Sequence, residues 1–366
     1  MYIHELPDWP RFKWNPRHLT DALASVRHRQ GRLIGHMGAL GFKFRQEAVL
    51  QTITQDVLKS SEIEGERLDA ESVRYSIARR LGMDIGALKP ADREVEGIVE
   101  MTLDATRHYE QPLTAERLFG WHAALFPAGR SGMGRITAGA WRDDSAGPMQ
   151  VVSGPMGREH VHFEAPAAAR LDAEMKAFLD WFNTETRMDG VLQAGLAHLW
   201  FVTIHPFQDG NGRIARVISD MALARSENSA QRFYSMSLQI RKERAAYYGA
   251  LERTQKGTLN ITPWMHWFLG CLDRALEGAQ TTLASVLSKA RFWDAASGVP
   301  LNDRQRRVLN RLLDGFQGKL TTSKWAKLAK SSQDTALRDI LHLVEHGLLI
   351  RGTEGGRSTS YSLARE

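Results

Sequence analysis

His205-Pro206-Phe207-Gln208-Asp209-Gly210-Asn211-Gly212-Arg213-Ile214-Ala215-Arg216 places a base, a carboxylate, a glycine-rich turn and two guanidinium groups within twelve positions. Upstream, Leu192 to Ile204 is apolar and compatible with a helix. Pro206 disfavours the right-handed helical conformation at His205, so the imidazole projects where that helix ends. Gly210-Asn211-Gly212 then bends the chain, and Ile214 to Ala224 resumes a helical pattern. Small residues feeding a helix N-terminus leave unpaired N–H groups pointing one way, a seat for phosphate oxygens. Arg213 and Arg216, three apart, share one face of the first turn.

Around this corner the chain reads as mainly helical. Leu19 to Gln30, Pro90 to Glu110 and Ala167 to Asn183 carry apolar residues at spacings of three and four among good helix formers. Strand-like runs are few, so the expected architecture is α-helical with one small hairpin. Trp9, Phe12 and Trp14 near the start read as packing residues, set against the first helix or the central core. Gly147 to Arg158 has turn residues around a short β-prone run and reads as a hairpin. Gly298-Val299-Pro300 marks a boundary. Beyond it, helices over Arg304–Leu313, Ser323–Lys330 and Gln333–Glu345 precede a glycine-punctuated two-stranded wing over Leu348–Leu363, an order that resembles a winged helix-turn-helix. Three domains are expected, at 1–86, 87–297 and 298–366.

Composition bounds the class. With 366 residues, 43% of them hydrophobic, the chain can bury a sizeable core. It has no run of about eighteen apolar residues and starts Met-Tyr-Ile-His-Glu without a basic-then-apolar leader, which sets the expectation of cytoplasmic residence and no membrane contact. Cys271 is the single cysteine and falls in an apolar run, so it forms no internal disulfide and reads as core. No Cys/His zinc spacing occurs, and His160 and His162 read as strand or loop residues. From Leu301 onward twelve Lys/Arg face seven Asp/Glu, most of the chain's net +6. That surplus leaves DNA contact and protein docking both open for the C-terminal module; in the first case Ser332, Gln333, Thr335 and Arg338 face a major groove.

The His205–Arg216 segment is similar, at every fixed position, to the Fic-family signature His-x-Phe-x-Asp/Glu-Gly-Asn-Gly-Arg-x-x-Arg. The resemblance implies a helical Fic core, ATP as substrate, and transfer of AMP to a Ser, Thr or Tyr hydroxyl of a target protein, the chain itself included. By the same resemblance His205 is the general base and Asp209 the ligand of a Mg²⁺ bridging α- and β-phosphates. Gly210, Asn211 and Gly212 cradle phosphates, Arg213 meets the β-phosphate and Arg216 the γ-phosphate, through bidentate donors. Phe207 is a core anchor. Ser60-Ser61-Glu62-Ile63-Glu64-Gly65 resembles the inhibitory pattern Ser/Thr-x-x-x-Glu-Gly/Asn of class II-like members, with an N-terminal helical domain delivering Glu64 in cis to Arg216, where one carboxylate mimics one phosphate. The hairpin takes the place of the family's flap, Val151, Val152, Ser153 and Gly154 holding a target strand. Tyr248, Leu251 and Gln255 resemble the residues lining the nucleoside pocket, and their helical spacing suits core packing equally. A homodimer is implied by resemblance alone. Two other functions fit the same residues: removal of AMP from a modified protein with Glu64 activating water, and a DNA-binding regulator whose Fic domain senses nucleotide.

Overall fold

Two helices flank the His205–Arg216 corner, and the first has no polar face to offer solvent. In the computed structural model Gly190–Ile204 is buried on every side, which makes it a central helix and not a surface one. The structure describes residues 1–83, 92–132, 134–145, 147–155, 158, 160–313, 316, 318–352 and 359–364. The 86/87 boundary, and Gly355 and Gly356 of the expected wing, lie outside them.

In chain order the first elements are α1 (Pro16–Gly38), α2 (Phe42–Ile63), α3 (Ala70–Arg80), α4 (Arg93–Arg107) and α5 (Ala115–Leu125). Two antiparallel ladders follow, β1 (Arg130–Ser131) with β2 (Gly134–Arg135) and β3 (Gln150–Ser153) with β4 (His160–Glu164). Then come α6 (Leu171–Thr184), α7 (Gly190–Ile204), α8 (Asn211–Glu227), α9 (Met236–Lys242), α10 (Arg244–Gln255) and α11 (Thr262–Ala295). The chain divides into two compact units at Gln280/Thr281, a point inside α11.

In the first unit α7 packs along α8, and Gly195 lets α11 approach: a Cβ there would lie 2.9 Å from the Phe268 ring, and Trp264 Nε1 donates to Gly195 O at 2.8 Å. Trp9 and Phe12 meet Trp200 of α7 edge-on at 6.4 and 5.6 Å, and Trp9 Nε1 donates to Glu174 Oε2 at 2.7 Å. The amino-terminal aromatics therefore anchor on the central helix. The sequence pattern also missed the β1–β2 ladder, since two residues per strand are too few to show a period of two.

The second unit adds α12 (Asp303–Leu313), α13 (Thr322–Ala329), α14 (Gln333–Glu345) and an antiparallel pair, β5 (Leu349–Arg351) with β6 (Tyr361–Leu363). Its core is built on Val308, Leu309, Trp325, Ile340, Leu343 and Leu349. Ser332 caps α14 by accepting from Thr335 N–H at 3.2 Å, and Leu337 and Leu341 stand exposed on that helix near Arg338. Among the described residues no helix is long and apolar enough to cross a membrane.

Candidate active site

The α7 helix ends at His205 in a left-handed conformation, φ 52° and ψ 56°. Proline at 206 excludes continuation of the helix, and a non-glycine residue held there costs about 1–2 kcal/mol. The conformation is secured from outside. Arg142 Nε donates to His205 O at 2.8 Å, Arg142 N–H to Pro206 O at 2.9 Å, and its guanidinium also reaches Asp144 Oδ1 at 2.9 Å and Pro166 O. Arg142 is 4% exposed. Replacing it with Met leaves these acceptors and the Asp144 carboxylate unmatched, so thermal or urea unfolding should reveal a loss of about 3 kcal/mol or more. Unchanged stability would show that the strained turn holds itself.

His205 Nδ1 lies 3.2 Å from Val202 O, which makes Nδ1 the protonated nitrogen and turns the Nε2 lone pair outward. Burial lowers its pKa to about 4, the Val202 carbonyl opposing, so the ring is neutral at pH 7. Two further imidazoles brace the site. Gly139 N–H donates to His122 Nδ1 at 3.0 Å, so His122 carries its proton on Nε2 and donates to Asp209 O at 3.2 Å while its ring stacks on Phe207 at 4.1 Å. His198 Nδ1 meets Ser219 Oγ at 3.1 Å and Nε2 meets the Tyr247 hydroxyl at 2.8 Å. Phe207, His122 and His198 are 0–1% exposed.

Burial lowers the pKa of His122 to about 4 and that of His198 to about 3. Unfolded, both rings take a proton near pH 6.5; folded, they resist it. Stability is therefore full above pH 6.5 and falls as pH drops from there toward 4, by about 2–3 kcal/mol per ring at pH 4.5. Urea midpoints measured between pH 7.5 and 4.5 check this, and a flat profile contradicts it.

Gly210 (φ 80°) turns the chain into α8, and both polar atoms of the Asn211 side chain are engaged by Phe207: Oδ1 accepts from Phe207 N–H at 3.0 Å and Nδ2 donates to Phe207 O at 2.8 Å. Asn211 thus shapes the loop with its side chain. Asp209 Oδ1 accepts from Gly210 N–H at 2.6 Å and Oδ2 from the Ser131 hydroxyl.

The α8 N-terminus already meets carboxylates. Arg216, 2% exposed, donates through Nη2 to Glu64 Oε1 at 2.7 Å and to Ser60 O at 3.1 Å, and through Nε to Ser60 Oγ at 3.0 Å. Glu64 Oε1 lies so near Gly212 that a Cβ there would be 2.5 Å from it. Arg213 Nη1 donates to Glu66 Oε2 at 2.6 Å, its guanidinium 5.0 Å over the Phe126 ring. The geometry comes from the end of α2. Gly65 (φ 90°) closes a Schellman cap in which Glu66 N–H donates to Ser61 O and Gly65 N–H to Glu62 O. Glu64 and Glu66, on either side of that glycine, thereby reach two adjacent arginines. Arg244 Nε covers the Ile63 carbonyl at 2.8 Å, and Asp56 accepts from the Ser235 hydroxyl, fixing α2 to the α9–α10 region.

A cavity of about 620 Å³ opens beside these groups; Asp209, Gly210, Asn211, Arg213 and Arg216 are not part of its lining. Glu64, His205 and Gly212 line it, as do Val151, Val152 and Ser153 of β3 and Tyr248, Leu251 and Gln255 of α10. Gly154 lies at the turn beyond β3 with φ 107°. The hairpin runs further than the sequence reading had it: its second strand is β4, so His160 and His162 are strand residues. Also lining the cavity, and not anticipated, are Val202, His162, Arg244, Tyr247 and Glu252. Tyr247 follows from the same helical spacing as Leu251; no local signal marks Glu66, His122 or Arg142.

Residues 112–223 match the family model described as the Fic/DOC family, and residues 2–83 match one described as a domain of unknown function, DUF4172. Curated relatives named protein adenylyltransferase Fic, from Drosophila willistoni and Culex quinquefasciatus, are each 32% identical over 114 residues. That stretch is 31% of this chain and spans only 21% of each relative. Among solved structures, a Fic family protein from Desulfovibrio desulfuricans G20 aligns over 98% of both chains at TM-score 0.56 and 20% identity. A Fic domain containing signaling protein from Bacteroides thetaiotaomicron VPI-5482 aligns over 71% of this chain and 97% of its own at TM-score 0.53 and 19% identity. These two likenesses carry the fold. With the twelve-residue signature lying inside the matched stretch, and His205 and Gly212 of it lining the cavity, residues 112–223 form a Fic/DOC family domain.

Proposed function

We propose that this chain transfers AMP from ATP to a protein hydroxyl and holds itself inactive through the end of α2. The observation that carries the reading is the Glu64–Arg216 contact at the α8 N-terminus, in the cavity that His205 also lines. The names of the curated relatives support the reaction class, and a cavity of about 620 Å³ suits a nucleotide.

In the reaction the target oxygen bonds to the α-phosphorus, the bond from that phosphorus to the β-bridging oxygen breaks, and pyrophosphate leaves. His205 Nε2 takes the hydroxyl proton. Amides at the α8 N-terminus and the two arginines receive the phosphates, Arg213 the β and Arg216 the γ. The β3 edge holds the target segment by strand addition. Mg²⁺ suits the donors present: Asp209 supplies a hard carboxylate with the Ser131 hydroxyl against it. Bound there, the ion would neutralise charge on the phosphates. While Glu64 and Glu66 engage both arginines, a triphosphate cannot seat with its α-phosphorus aligned.

ATP labelled separately at the α- and γ-phosphorus tests the class with the Glu64→Gly protein. Label from the α position alone should enter protein, the chain itself being the accessible target; entry of γ-label would make the enzyme a kinase and overturn the assignment.

Removal of AMP from a modified protein is the second reading, favoured by the 30% exposure of the Glu64 side chain, which lines the cavity and so reaches solvent as well as Arg216. It requires that self-modified protein release AMP with Glu64 present and retain it after Glu64→Gly. The second unit, whose described elements include α12, α13, α14 and the β5–β6 pair, is assigned to the winged helix-turn-helix class within the same proposal, and cytoplasmic residence and a homodimer belong there too.

A further inference from the structure

We propose that His160, His162 and Glu252 form a binding site for a transition-metal dication of the Zn²⁺ class, pinning the hairpin to the wall of the cavity. Residues 160 and 162 alternate on β4, so their side chains leave the same face, and that face meets α10 at Glu252. One ligand atom from each lies within 4.8 Å of the others. His162 Nδ1 is 3.0 Å from Glu252 Oε2 and His160 Nε2 is 3.9 Å from Oε1. Tetrahedral zinc with ligand bonds near 2.0–2.1 Å needs donor atoms about 3.3 Å apart. His160, whose side chain is 68% exposed, is free to rotate toward that spacing once Lys256 leaves Glu252 Oε1.

The surroundings match those of built metal sites. His162 Nε2 lies 2.6 Å from Ser153 Oγ on β3, the outer hydrogen bond that fixes a ligating imidazole's tautomer and aim. Lys256 Nζ, 2.6 Å from Glu252 Oε1, is a positive charge that a dication would displace. Two imidazoles and one carboxylate select Zn²⁺ or its neighbours over Mg²⁺, which prefers oxygen ligands throughout. His162 and Glu252 both line the 620 Å³ cavity, so the ion would tie strand to helix at the cavity wall. The site requires no adenylyl transfer and stands apart from that reading.

The test uses the full chain with His342→Asn and His346→Asn, since those rings, 4.3 Å apart at the end of α14, would offer the probe a separate chelating pair, and excess Mg²⁺ to occupy oxygen sites. Co²⁺ serves as the visible probe. One equivalent should give an intense absorption band that Zn²⁺ abolishes, and His160→Asn, His162→Asn or Glu252→Gln should each weaken binding by roughly 10–100-fold. Because His160 is exposed, its variant stays folded and decides the matter if the others do not. Zn²⁺ should also slow hydrogen exchange at β3 and β4 amides in the protein with the site intact and not after His160→Asn. Absence of the band, equal affinity after His160→Asn, or unchanged β3–β4 exchange each overturns the proposal.

Discussion

Glu64→Gly should raise AMP incorporation from labelled ATP by about 10–100-fold. The figure follows from the contact removed. A charge-assisted hydrogen bond between Glu64 Oε1 and Arg216 Nη2 at 2.7 Å is worth about 1.5–3 kcal/mol, and each 1.4 kcal/mol changes occupancy tenfold. The carboxylate keeps 30% of its side-chain surface exposed, which favours the lower half of that range. Arg216 does not collapse when its partner goes, because Ser60 O and Oγ still hold Nη2 and Nε. A guanidinium fixed in place without a carboxylate is a ready receptor for the γ-phosphate. ATP should accordingly raise the Tm of the variant more than that of the parent, by linkage. Glu64→Gln, which keeps the volume and drops the charge, should fall between the two. Equal incorporation by all three proteins would end the autoinhibition account, whatever their stabilities.

Removing His205 in the Glu64→Gly background should cost 10²–10⁴-fold in incorporation, the ordinary worth of a general base, with ATP binding retained. His205 reaches no phosphate in this reading, and its Nδ1 is committed to Val202 O. Nε2 is therefore the nitrogen left to accept a proton. Asn is the better substitution than Ala, because it tolerates the left-handed backbone at 205 and separates loss of the base from loss of the turn. The pH dependence supplies a second check. With the pKa lowered to about 4 by burial, the ring stays neutral through the neutral range, so activity should remain level from pH 8 to pH 6 instead of falling near 6.5. If His205→Asn retains activity, the imidazole has been given the wrong role.

What the sequence disclosed was whatever lies contiguous in the chain. The helix–turn–helix around Gly210, Asp209 beside it, and α14 at Gln333–Glu345 were all legible from local pattern. Contacts made across the fold were not. Arg142 stands 63 positions from the His205 carbonyl it secures, and His122 stands 87 from the Asp209 carbonyl it meets. Neither type nor spacing marks these residues, because a buried arginine and a buried histidine are identified only by what surrounds them. Glu66 is the instructive case. Its neighbour Glu64 belongs to a known pattern, while Glu66 reads as one more surface charge until the Gly65 cap turns it onto Arg213. The hairpin failed differently: the expected hairpin ended at Arg158, whereas the second strand runs over His160–Glu164.

Gly65 places two acidic groups on opposite sides of one pivot, and that arrangement decides how the gate opens. Because both carboxylates hang from a single turn, unwinding the last residues of α2 frees both guanidinium groups in one event. Under the proposed phosphate assignments, a nucleotide that engages either arginine would therefore loosen the contact at the other.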